Sequence, residues 1–172
     1  MTTIWMIEDL EPFADMPRPG EKCRPTTYWA TTEYRDIPAE MVCEVAARIE
    51  EVPVDGRVER RAHLGSGVTT MVPDGTHLSG NGTLRGCLVW DRYLWLDYRT
   101  VPVGELLVNE RRYLTRRRAG PLPEKDGWYA VDYEGPMYLC SDLAEKPRDR
   151  DVVSYALSVS LTSGPFDSER EL

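Results

Sequence analysis

The sequence predicts a single α+β domain over residues 1–162, a mostly antiparallel β-sheet carrying two amphipathic helices, followed by a flexible C-terminal tail at 163–172. Three observations lead there. Short runs rich in threonine, valine and aromatic residues alternate with proline and glycine turn clusters. Two longer segments place apolar residues at helical spacing. Strict strand–helix alternation, which a doubly wound α/β sheet requires, is absent.

At 172 residues the chain can bury roughly 70% of its unfolded surface, so folding needs neither metal nor disulfide. No apolar run approaches the ~18–20 residues of a membrane span, and the N-terminus carries acidic residues where a signal peptide would be apolar. A soluble cytoplasmic protein with no membrane association is expected. Cys23, Cys43, Cys87 and Cys140 are scattered without a C-x-x-C pair and are expected to be reduced. Arginine far outnumbers Lys22, Lys125 and Lys146, a bias that points to a GC-rich genome.

The elements follow in order. Residues 3–7 read as a first strand, broken by Pro12, Pro17, Pro19 and Gly20; residues 25–34 read as a second. In residues 37–51, Ile37, Met41, Val42, Val45 and Ile49 fall on one arc at about 100° per residue, with Glu40 and Glu44 opposite, which predicts the first helix, ended by Pro53. Residues 54–72 suit a hairpin, with Asp55-Gly56 as a turn signal at its start and Gly65-Ser66-Gly67 separating residues 57–64 from 68–72, and residues 73–82 a loop with two turn signals.

Residues 84–100 would exceed 50 Å as one strand at ~3.3 Å per residue, so a bend near Asp91-Arg92 is expected. Apolar side chains on both faces place this stretch centrally in the sheet. Pro102 then opens the second, arginine-rich helix, whose arc is Val103, Leu106, Leu107 and Leu114, and Gly120-Pro121 closes it. Strands are expected at 128–133, 137–140 and 152–161.

Charge is uneven. Residues 57–120 carry a net +5 between segments at −7 and −6, within a chain at −8. Arg111, Arg112, Arg116 and Arg118 form the expected binding surface, since guanidinium groups hold carboxylates and phosphates through paired hydrogen bonds. Nucleic acid is disfavoured because the chain is acidic and has no recognised nucleic-acid motif.

The weak catalytic candidates are His77 and Asp74, acid–base types in the 73–82 loop beside Ser79, and Glu110, a carboxylate inside the second helix's apolar arc with Arg117, Arg99 or Arg92 as its cation. His63 and His77 lack metal-ligand spacing, and Gly80, Gly82 and Gly86 precede a strand-like run where a dinucleotide turn needs a helix. No metal or cofactor is expected.

The resulting expectation is a non-enzymatic interaction protein, such as a bacterial or phage inhibitor, immunity factor or assembly component. Its basic central region would engage a protein partner or an anionic ligand, with a homo-oligomer as a further mode. The alternatives are a small hydrolase or transferase acting on a phosphorylated or nucleotide-like substrate, and a self-assembling structural or virion protein.

Overall fold

The computed structural model describes residues 2–11, 13–33, 35–74 and 79–161. The strands are β1 (Thr3–Asp9), β2 (Lys22–Cys23), β3 (Thr27–Ala30), β4 (Cys43–Val54), β5 (Arg57–Gly65), β6 (Val68–Val72), β7 (Gly80–Trp90), β8 (Leu106–Pro121), β9 (Tyr129–Val131), β10 (Tyr138–Cys140) and β11 (Arg150–Leu161). Among the described residues the only α-helix, α1 (Leu94–Asp97), spans 4 residues.

Five strands close a mixed barrel in the order β7–β3–β6–β5–β4–β7, in which β3 and β6 run parallel and the other neighbours antiparallel. The sheet then leaves the barrel. β1 joins β7 in parallel through Met6–Glu8, β11 and β8 follow antiparallel, and β2, β9 and β10 line the outer edge of β8.

The fold is therefore nearly all β, which corrects the expected α+β class with its two helices. Residues 37–51 give only a 3-10 turn at Ala39–Met41 before β4. Val45, Ala47 and Ile49 point inward at period two; only the four-residue spacing of Val45 and Ile49 suits a helix as well as a strand, and pairing with β5 and β7 decides for the strand.

The segment at 102–120, expected to be the arginine-rich helix, instead supplies β8 from Leu106 onward, the longest strand among the described residues. Its helical look has a cause. Between the pairs Glu110↔Ser158 and Val108↔Val159 the residue Asn109 is extra, a β-bulge that reverses which parity faces which side. Leu106 and Val108 thus enter one core and Leu114 the other, so the apolar residues lose their period of two.

One core fills the barrel and continues beneath β1, β11 and β8, with Met6, Trp29, Leu84, Leu88 and Leu157 fully buried. The second lies on the opposite side of the same strands, where Ile7, Val89, Leu114 and Ala156 are covered by Ile37, Met41 and Met137. The expected bend at Asp91-Arg92 falls where β7 ends, but the chain enters α1 there and forms no second hairpin strand. The tail read at 163–172 lies outside the described residues.

Gly86 is where β7 changes neighbours. Its N-terminal part, through Gly86, pairs with β4, while Cys87–Trp90 pair with β3 and Leu88–Trp90 with β1. Gly86 has φ +148°, and a Cβ there would stand 1.9 Å from the Ala30 carbonyl oxygen. Gly86→Ala is expected to cost about 3 kcal/mol or more, read as a fall in Tm by circular dichroism, because neither the backbone angle nor the β3 carbonyl can yield cheaply. An unchanged Tm would remove Gly86 from this role.

Candidate functional site

Two buried glutamates hold exposed loops in place. Glu59, on β5, is 3% exposed. It accepts hydrogen bonds from the consecutive backbone N–H groups of Arg99 (2.8 Å) and Thr100 (2.7 Å) and from the Arg57 guanidinium (2.6 Å). Arg57 also donates to the Asp97 carbonyl at the end of α1 (2.6 Å). A loop has no ladder partners for its N–H groups, and a carboxylate can serve two at once.

Glu8, the inward residue after Ile4 and Met6 on β1, repeats the arrangement. It is fully buried and accepts from the consecutive N–H groups of Asp15 (2.6 Å) and Met16 (3.2 Å) and from Arg92 (2.8 Å). Arg92 also bonds Asp15 (2.7 Å) and lies 4.4 Å above the Trp90 ring. Arg92 therefore fastens the loop before β2 to the turn that opens α1.

The far end of the second loop is held too. Val103 exchanges hydrogen bonds with Thr69 of β6, its carbonyl accepting from the Thr69 N–H (2.7 Å) and its N–H donating to Thr69 Oγ1 (2.8 Å). Gly104 packs so tightly on Val68 that an added Cβ would meet Val68 Cα at 2.6 Å.

What these loops present is apolar. Phe13, Trp95, Leu96, Val101 and Val103 are each more than half exposed, and Met16 and Tyr93 nearly so. Val101 and Val103 border a cleft of about 540 Å³ with Arg24, Pro25, Thr26 and Glu105. Arg24 and Lys22 are ion-paired to Glu105 at its rim (3.1 and 2.7 Å).

The expected site residues are dispersed. Asp74 is exposed and shares a cleft of about 340 Å³ with Asp91 and Asp97. His77 lies outside the described residues. Glu110 sits on β8 and pairs with Arg112 (2.6 Å), not with Arg117, Arg99 or Arg92. His63 bonds Glu50 (2.7 Å), which Arg61 also holds (2.9 Å).

The four arginines occupy two faces and each has a partner. Arg111 donates to the Met16 carbonyl (2.9 Å). Arg118 makes a two-point pair with Asp151 (2.9 and 2.9 Å). Arg116 is buried and donates to the carbonyls of Tyr133 and Gly135, pinning that loop across the second core. It lines a cleft of about 590 Å³ with Arg35, whose guanidinium is committed to Asp9 (2.9 Å) and the Tyr28 hydroxyl (3.2 Å).

Sequence reasoning missed both clamps. Glu8 had a readable signal, since it continues the inward period of Ile4 and Met6; Glu59 had none, because its partners come from 40 residues away. Compared with protein-family models, curated proteins and solved structures, the chain matches none.

Burial alone would raise the Glu59 carboxyl, but the Arg99 and Thr100 N–H groups and Arg57 overcome this and hold it at about 2. The folded value lies below the ordinary 4.5, so Glu59 stabilises the fold fully above that pH and loses its contribution as pH falls toward about 2. Glu50, hydrogen-bonded by His63 and Arg61, is also held at about 2 and titrates in the same window. Glu59→Gln is expected to cost about 2 kcal/mol at neutral pH, and its Tm should converge on that of the unmodified protein as pH falls from 4.5. A constant gap between the two Tm–pH curves would show that the ionised Glu59 does not hold the loop.

Proposed function

We propose that this protein is a non-enzymatic interaction protein that binds another protein through the apolar loops fastened by Glu8 and Glu59. One observation carries the reading: large apolar side chains are displayed outward on backbone that two buried carboxylates and Arg92 hold in place. A monomer gains nothing by holding Trp95, Leu96 and Val101 rigidly in water. A binding surface does, because ordering cost is met in folding and not again at association.

The composition suits an interface centre, with Trp, Tyr, Phe and Met among the exposed residues and arginines around them. The basic central region thus contributes mainly through the apolar segment that interrupts it. Arg92, Arg57 and Arg99 support that segment from behind and from its rim.

The test is native mass spectrometry of the protein purified from its source, alongside the double variant Trp95→Asp with Val101→Asp. A partner present in fixed stoichiometry with the unmodified chain should be lost from the variant, while the variant's Tm stays within about 0.5 kcal/mol equivalent because both side chains are exposed. A partner retained by the variant, or an unmodified chain that carries no protein partner, would overturn the proposal.

A further inference from the structure

Two cations face each other at the far end of the β8–β11 ribbon. Arg117 on β8 stands directly opposite Arg150 on β11. Among the described residues neither is ion-paired to a carboxylate, whereas Arg35, Arg57, Arg92, Arg112 and Arg118 all are. Like charges facing each other across an antiparallel pair repel.

The register makes this arrangement an active choice of the fold. Val153 is an extra residue on β11 between the pairs Ser154↔Leu114 and Val152↔Thr115. Without that bulge the ladder would continue so that Asp151 faced Arg117, an attractive pair. The bulge moves Asp151 onto Arg116 and Arg118 and brings Arg150 to Arg117. Bulges re-aim side chains next to functional sites.

Both guanidinium groups are seated on one aromatic ring. The central carbon of Arg150 lies 3.7 Å, and that of Arg117 5.7 Å, from the centre of the Tyr138 ring. Stacking uses the face of a guanidinium and leaves its in-plane N–H donors free. Among the described residues Arg150 Nε itself is buried and has no hydrogen-bond partner. The Lys146 ammonium donates to the Arg150 carbonyl and so holds the backbone at Arg150.

The positions of β8, β10 and β11 that share this face carry Arg111, Tyr113, Tyr155 and Tyr138 and no acidic residue. We propose that Arg117 and Arg150, seated on Tyr138, form an oxyanion site that takes a phosphate group. Bound phosphate relieves the cross-strand repulsion and accepts from guanidinium N–H groups of both arginines. The site stands apart from the apolar loops and does not depend on their role.

The experiment titrates the whole chain with inorganic phosphate, at ionic strength held constant with potassium chloride, and reads affinity by calorimetry and Tm by circular dichroism. The unmodified protein should gain Tm with phosphate, and Arg117→Gln and Arg150→Gln should each weaken binding about tenfold, as expected for loss of one charge-assisted contact. Arg117→Glu should raise Tm without phosphate, by turning a repulsive pair into an attractive one, and abolish the phosphate response. Arg85→Gln, on the exposed side of β7 across from Glu44, should respond like the unmodified protein. Adenosine monophosphate and phosphoserine run in parallel identify the carrier: equal affinity for all three assigns free phosphate, and tighter binding of one assigns its class. No phosphate response beyond chloride, or a response that survives both glutamine variants, overturns the site.

Discussion

The edge that β7 divides between two neighbours is the constraint on which the rest of the molecule depends. One edge of this strand accepts β4 up to Gly86 and β1 from Leu88 onward, while the other edge takes β3. The same strand therefore closes the barrel and starts the sheet that leaves it. Leu84, Leu88 and Trp90 enter one core and Cys87 and Val89 the other. Each fully buried aliphatic side chain among them is worth about 1.5–3 kcal/mol, so β7 links the two cores energetically as well as geometrically. A Cβ at Gly86 would push β3 off that strand, and β3 is the stave that joins β6 to β7.

A barrel that opens into a sheet leaves connections that cannot follow a ladder, and the two buried glutamates answer that problem. An N–H left unpaired in a loop packed against the fold costs about 1–3 kcal/mol. Glu8 and Glu59 each accept from two such groups in succession, and each carries an arginine that offsets the charge. Burying a carboxylate is costly unless it is paired and fully hydrogen-bonded. Among the described residues Glu8 leaves one oxygen, Oε2, without a partner, so its clamp is the less complete of the two. The consequence reaches function, because the loops so fixed are those that present Trp95, Leu96, Phe13 and Met16.

Much of the strand content was legible. The runs at 3–7, 54–72 and 152–161 are read as strands and form them, the first part of the stretch at 84–100 falls in β7, and Asp55-Gly56 does turn β4 into β5, with Asp55 at φ +48° and Gly56 at φ +79°. The two segments read as helices failed for different physical reasons. In β4 the residues Val45 and Ile49 are four apart, a spacing common to both periods, and only pairing with β5 and β7 separates them. In β8 the extra residue Asn109 reversed the parity. The candidate site was less legible still, because a clamp such as Glu59 with Arg99 and Thr100 is a contact between distant residues and has no local pattern.

The arginines show how far side-chain direction outweighs proximity in sequence. Arg116, Arg117 and Arg118 read as one basic cluster, but a strand sends neighbours to opposite faces. Arg116 and Arg118 project with Tyr133 and Asp151, where carbonyls and a carboxylate satisfy them. Arg117 projects with Tyr138 and Arg150, where one aromatic ring stabilises cations without neutralising them. A ring face attracts positive charge but supplies no acceptor for its N–H groups. Charge density on the chain is thus converted into two surfaces of different chemistry, one closed by internal partners and one left with donors unspent, and the single bulge at Val153 sets which arginine falls on which.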